Sequence, residues 1–163
     1  MLHRPLIDAF EFARSSARLG GDWPIADLPR LQGVVHSDRG SLAYVLEGLA
    51  EERGRPALRL QVDGTLQLMC QRCLGALEHQ LHADAVLLLF ESESELAAVP
   101  VEAEGPDCIV ATGGVPVRDL IEEEVLLAIP YAPHHEWCEP RGREEAATRP
   151  GPFADLRTRL TKH

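Results

Sequence analysis

The sequence predicts an α+β fold: a mostly antiparallel, strongly twisted sheet flanked by short helices. Three observations carry that expectation. Residues 58–68 alternate, with Leu58, Leu60, Val62, Leu66 and Leu68 apolar and Arg59, Gln61, Asp63, Thr65 and Gln67 polar. This is a strand with one dry face and one wet. After the C-x-x-C of Cys70 and Cys73, a second alternation sets Leu77, His79, Leu81, Ala83 and Ala85 against Glu78, Gln80, His82 and Asp84. Elsewhere, two stretches carry helix-start and helix-stop residues at their ends.

Taken in order, Asp8 reads as an N-cap with Glu11 three residues on, and Gly20-Gly21 as the stop, outlining a helix over AFEFARSSARL. Leu6, Phe10, Ala13 and Ala17 would share its inner face. A Pro-containing connection over residues 23–29 leads to two strands, GVVHS and SLAYVLEGLA, with Asp38-Arg39-Gly40 turning between them. Asp63-Gly64 has the composition of a two-residue hairpin turn. Parity argues against that turn, because Val62 would then face Thr65 and Leu60 would face Gln67. One long strand is expected instead, with Gly64 at a bulge or a close backbone approach. Residues 86–90, VLLLF, are apolar on both faces. The strand, the C-x-x-C and the following strand therefore make a long hairpin with the cysteines at its tip.

The following residues, 91–107, hold few bulky apolar side chains and no period, so they predict a mobile acidic loop. In DLIEEEVLLAI, Asp119 with Glu122 reads as an N-cap pair, and acids suit the first turn of a helix. Leu120, Ile121, Val125 and Ala128 form its apolar stripe, Glu122 and Glu123 point away, and Pro130 ends it. An irregular segment, PYAPHHEWCEP, leads into a polar segment over residues 139–163 that contains a short amphipathic helix, PFADLRTRL.

Composition narrows the class. The chain has 163 residues, with 16 basic against 26 acidic side chains and a net charge of -10. One domain spanning residues 1–163 is expected. A cationic protein that wraps nucleic acid is excluded as the simple reading. Residues 91–124 alone hold ten acids and only Arg118 as a base, either a solvated loop, a guard against indiscriminate RNA binding, or a docking strip for a basic protein. No apolar run is long enough for a membrane span, and the first ten residues lack the order of a signal peptide. Four cysteines do not make a secreted disulfide scaffold. The expectation is a soluble cytoplasmic domain.

The cysteines and histidines admit three readings. Cys70 and Cys73 can present two thiolates to one metal ion from a tight turn, and HHEWC offers His135 or His134 with Cys138, giving a structural zinc site. The same residues can be reduced thiols that merely pack together. A redox pair is the third reading, weakened because the motif runs into a strand rather than a helix N-terminus. Cys108 is left over. No catalytic constellation accompanies them: GGVPVRD lacks the lysine of a phosphate loop, the serines have no nucleophile-elbow context, and Glu122, Glu123 and Glu124 are consecutive on a helix. A non-enzymatic protein is expected.

In order and spacing, these motifs resemble the YceD family, the large ribosomal RNA subunit accumulation proteins. Cys70, Arg72, Cys73 and Leu74 match its C-x-R-C-L knuckle. Asp119, Leu120, Glu123, Leu126, Leu127 and Pro130 match its acidic-apolar helix and proline stop, and Pro133, His135 and Cys138 its P-x-H…C segment. Pro152, Phe153, Ala154 and Leu156 match its terminal P-F-A-x-L, with Gly151 where asparagine commonly precedes that proline. The resemblance implies a role in the synthesis, processing or stability of 23S rRNA and brings no catalytic residues with it. Direct contact with precursor rRNA would use a local patch, for which Arg55, Arg59 and Arg72 are the candidates, or the arginine-bearing tail. The alternatives are an adaptor that uses its acidic segment against a basic ribosomal protein or a processing enzyme, and a zinc or thiol protein centred on Cys70 and Cys73.

Overall fold

Leu58, Leu60, Val62, Leu66 and Leu68 are all fully buried, and the strand that carries them determines the rest of the fold. In the computed structural model, which describes residues 5–100 and 105–139, that strand is β5, Arg55–Met69. It is preceded by β1 (Leu6–Asp8), α1 (Ala9–Arg14), β2 (Arg18–Pro24), two 3-10 turns (Ile25–Asp27 and Pro29–Leu31), β3 (Val35–Ser37) and β4 (Ser41–Glu52). It is followed by β6 (Ala76–Phe90), α2 (Glu93–Ala97), β7 (Asp107–Val110), β8 (Gly114–Pro116) and α3 (Val117–Ala128). The main sheet has the order β2-β4-β5-β6-β7, with β3 also paired to β5, while β1 and β8 form a separate two-stranded ribbon. All pairings are antiparallel except β6 with β7. The α+β class and the long hairpin are as expected.

Gly64 holds a regular register, opposite Leu42 on β4 and Leu81 on β6. No bulge interrupts the strand there. A Cβ at this position would sit 2.6 Å from Leu42 Cδ2, so the glycine marks a close approach that keeps the dry face of β5 continuous.

Several boundaries differ from the sequence reading. Helix α1 does start at Asp8, whose carboxylate accepts the Glu11 N–H at 2.9 Å. It ends at Arg14, because Ser16 takes a left-handed φ of 49° and the chain turns into β2. Gly20 and Gly21 therefore lie in a strand, opposite Val45 and Tyr44, and do not stop the helix. Leu6 is exposed on β1, and the buried face of α1 is Ala9 and Ala13. The segment 38–40 does not reverse the chain between β3 and β4. Both strands run antiparallel to β5 in one lane, Val35 opposite Leu68 and Leu42 opposite Gly64, so residues 38–40 only loop out of that lane.

Helix α3 begins two residues before the expected cap. Pro116 is its N-cap, and the Val117 N–H donates to the Pro5 carbonyl at 3.0 Å, which leaves Asp119 in the first turn, paired with Arg118. Glu122 does not point away. It is 1% exposed, and its Oε1 accepts the Arg30 N–H at 2.9 Å. A buried carboxylate needs such donors to offset its desolvation, and here the bond ties α3 to the 3-10 turn at Pro29–Leu31. Glu123 pairs with Arg30 from outside. Glu124, also buried, has its carboxyl pushed up by that burial and then by Asp107 and Glu123.

The main core lies where α1, the 3-10 turns and α3 cover one face of the sheet, joining Leu42, Leu46, Leu58, Leu60 and Leu89 to Ala13, Leu31, Ile121 and Val125. A smaller cluster of Ala57, Leu88 and Phe90 with Leu96 occupies the other face, which explains why residues 86–90 are apolar on both sides. Its cover is α2, inside the stretch expected to be a loop. Ser92 caps that helix by accepting the Glu95 N–H at 3.2 Å. Glu95 in turn pairs with Arg55 at 2.6 Å, and the Arg55 guanidinium lies 4.2 Å from the Phe90 ring centroid. The acidic segment is thus docked at its start by Leu96 and Glu95, and Asp107 already belongs to β7. The C-terminal amphipathic helix and the basic tail lie outside the described residues.

Candidate metal centre at the hairpin tip

Strands β5 and β6 pair as far as Met69 opposite Ala76, which leaves residues 70–75 as the tip. The tip is closed by its own backbone: the Cys70 N–H donates to the Gly75 carbonyl and the Leu74 N–H to the Cys70 carbonyl, both at 2.9 Å. Leu74 takes a φ of 59° to allow the turn, and the Arg72 N–H donates to Cys70 Sγ at 3.4 Å. A sulfur held by peptide N–H groups is prepared to carry negative charge.

The second half of the site arrives after α3. The Gln71 N–H donates to the Pro133 carbonyl at 2.8 Å, which lays residues 133–138 against the tip. Cys73 Sγ then lies 3.5 Å from His135 Nδ1, and Cys70 Sγ lies 3.7 Å from Cys138 Sγ. The ligand atoms of Cys70, Cys73, His135 and Cys138 all lie within 4.8 Å of one another. Tetrahedral zinc with its usual bond lengths of about 2.3 Å to sulfur and about 2.0–2.1 Å to nitrogen places sulfurs about 3.8 Å apart, and sulfur and nitrogen about 3.6 Å apart. The Cys73–His135 and Cys70–Cys138 spacings match those values, and the remaining pairs stay within 4.8 Å.

The histidine is also oriented for the task. His135 Nε2 lies 3.0 Å from the Ala76 carbonyl. A carbonyl only accepts, so Nε2 carries the proton and Nδ1 turns its lone pair to the sulfurs. Electrostatics agree. Burial opposes ionisation of Cys70, but hydrogen bonds from the backbone of Cys73, His135 and Arg72 outweigh it and pull the thiol down to about 5. Cys138 moves the other way, pushed up by burial and by the neighbouring sulfurs of Cys70 and Cys73. The cluster thus favours negative charge on Cys70 and opposes it on Cys138, and a cation held among the sulfurs would relieve that opposition.

The leftover residues separate cleanly. His134 turns its Nδ1 to the Ala132 carbonyl at 2.9 Å. Cys108 is exposed on β7 and is not part of the cluster. None of the four cysteines is in a disulfide.

The arginine candidates fare differently. Arg55 is committed to Glu95 and the Phe90 ring. Arg59 donates to both Asp84 oxygens, at 2.9 and 2.7 Å, with Gln61 on the same carboxylate at 3.1 Å. The wet face of the hairpin continues as a ladder of such pairs, His82 with Asp63 at 2.5 Å and Thr65 with Gln80 at 3.1 Å. It is a self-satisfied polar face rather than an open cationic one. Arg72 is exposed on the tip, and no carboxylate pairs with it among the described residues.

The Arg59 pair has a measurable signature. Its guanidinium, with Gln61 beside it, holds the Asp84 carboxyl down at about 2 despite some burial. Asp84 therefore binds fewer protons in the folded chain than in the unfolded one, where its pKa is about 3.9. The stabilisation is complete above that value and is lost as pH falls toward about 2. Arg59→Gln is expected to lower the urea midpoint slightly at neutral pH, with the gap to wild type closing steadily through the acid range. A gap that stays constant down to the acid limit would show that the pair is not formed.

Sequence reasoning did not single out Tyr131 or Trp137. Both are almost fully exposed, at 104% and 92%, and Trp137 stands beside Cys138. A tryptophan next to a proposed ligand, in a segment with no apolar period, was the available signal.

A family model described as "Large ribosomal RNA subunit accumulation protein YceD" matches residues 58–156, from the dry strand through the tip and α3. No solved structure matches the chain.

Proposed function

This chain belongs to the YceD family of large ribosomal RNA subunit accumulation proteins, and from that membership we propose a non-enzymatic factor that promotes accumulation of 23S rRNA by binding its precursor in the cytoplasm. The observation that carries the reading is the family match, which covers more than half of the chain and includes every residue of the tip cluster. The family's description names accumulation of an RNA and no reaction. Among the described residues, no helix is long and apolar enough to cross a membrane.

In this reading Cys70, Cys73, His135 and Cys138 hold a structural zinc ion. Four protein ligands leave no open position for a substrate, so the ion supplies rigidity rather than Lewis-acid chemistry. The His135 contact to Ala76 and the lowered Cys70 thiol support it. A thiol-disulfide role is less well supported, because a histidine nitrogen completes the sulfur cluster.

Crosslinking the tagged protein to RNA in cells, followed by sequencing of the recovered RNA, tests the proposal. Enrichment of one 23S precursor region is the expected result. Recovery at background overturns direct contact and moves the function to a protein adaptor, with exposed Glu91 and Glu93 as the place to look.

A further inference from the structure

We propose that the hairpin tip is a stacking site for unpaired RNA nucleotides, in which Trp137 takes a base face and Arg72 an adjoining phosphate. This rests on the RNA-binding reading above and gives it a location and a substrate class.

The two tryptophans and two tyrosines are used in opposite ways. Trp23 and Tyr44 are buried against each other, ring centroids 5.9 Å apart. Trp137 and Tyr131 are the exposed aromatic residues among the described ones. An indole offers a large apolar face that the chain normally buries, and here no described residue covers it.

The backbone that carries Trp137 is anchored on both sides. It lies between His135, anchored to Ala76 and Cys73, and Cys138, which lies against Cys70. Pro133 is pinned to Gln71 on the other side. A ring on so constrained a backbone loses little entropy when a flat partner settles on it.

Arg72 stands between Cys70 and Cys73 and belongs to the same tip, because residues flanking both side chains share one cluster. Unlike Arg55 and Arg59, it has no carboxylate partner among the described residues. A guanidinium and an exposed aromatic ring carried by the same tip cluster offer the pairing that single strands use, phosphate on one and base on the other. Next to Trp137 in sequence, His134, Glu136 and Glu139 are exposed, as is Gln71 on the tip. The exposed Met69 and Leu74 of the tip thus share it with polar and charged groups that suit a nucleotide better than the apolar centre of a protein interface. Glu136 and Glu139 also repel phosphate. Attraction by charge is therefore weak, and stacking has to supply the affinity.

That combination predicts an unusual salt response. One phosphate contact gives a slope of about -0.7 in log K against log salt for a single strand, far shallower than a basic RNA-binding face would show.

The test titrates the full-length protein with a short unstructured RNA and with an RNA duplex, reading tryptophan fluorescence and anisotropy of labelled RNA. Trp137→Phe provides the background, since its emission comes from Trp23 alone. Expected are quenching by the unstructured RNA only, binding weakened by roughly tenfold in Trp137→Ala, near-wild-type binding in Trp137→Phe, and a flatter salt slope in Arg72→Gln, all with unchanged melting temperatures. If wild type binds the RNA and Trp137→Ala, Tyr131→Ala and Arg72→Gln bind equally well, the stacking site is overturned while RNA binding stands elsewhere. If wild type binds neither RNA at low salt, the stacking site and the direct-binding reading fall together.

Discussion

Cys70→Ser is expected to purify without zinc, where the wild-type chain carries about one equivalent. It should also melt well below it. The ion would join two segments 62–68 residues apart in sequence, the tip and residues 135–138. Ligand present at about 1,000 times its dissociation constant stabilises the folded state by about 4 kcal/mol. At about 2–4 °C per kcal/mol for a chain of this size, the melting temperature falls by roughly 10 °C. The leucine core around β5 does not depend on the tip, so the variant stays folded and loses order first at residues 133–138. Hydrogen exchange should show that segment opening while β5 remains protected. Cys108→Ser and His134→Ala are the controls and should keep the metal, since neither residue is in the cluster. A wild-type protein that is metal-free, folded and indifferent to chelators would reject the zinc site.

Gly48→Ala is expected to be the most damaging single-methyl change in the described fold. A Cβ on Gly48 would collide with the Phe12 carbonyl and with the Ala13 Cα. Those are backbone atoms, so no rotamer change relieves the contact. Helix α1 would have to lift from β4, exposing Ala9 and Ala13 and breaking the 2.8 Å bond from the Gly48 N–H to the Ala17 carbonyl. A loss of about 3 kcal/mol or more follows, at the severe end of single substitutions. Gly33→Ala, where nothing lies within 4 Å of the added carbon, should change stability by less than about 0.5 kcal/mol. Denaturant melts of the two variants side by side decide the matter. A Gly48→Ala midpoint equal to wild type would mean that α1 does not pack where the structure puts it.

The limits of the sequence reading follow from the range of the forces involved. Local signals were read correctly where the chain satisfies itself locally: the Asp8 cap bonds to Glu11 within one turn. They misled where a distant group took over. Glu122 looked like a solvent-facing acid because its neighbours in sequence are acids, yet its partner is the backbone of Arg30, 92 residues away. Arg59 was a candidate for RNA because it lies on the wet face of its strand, and the carboxylate that pairs with it is on the neighbouring strand. The acidic stretch lacked a period long enough to read, and its five-residue helix exists because Leu96 found Phe90 and Glu95 found Arg55.

By itself, the sequence determined the dry and wet faces of the hairpin, the placing of the cysteines at its tip, the family, and the residue types able to hold a metal. The faces, the tip and the ligand types depend on spacing over a few residues, which the periods of strand and turn impose directly, while the family rests on the order of motifs across residues 58–156. Only the tertiary structure decided which histidine faces the sulfurs, that Arg72 has no carboxylate partner among the described residues, and that Trp137 next to Cys138 stands exposed. Those outcomes depend on where α3 delivers residues 133–138 against the tip, a long-range packing result that no strand or helix period in the chain encodes.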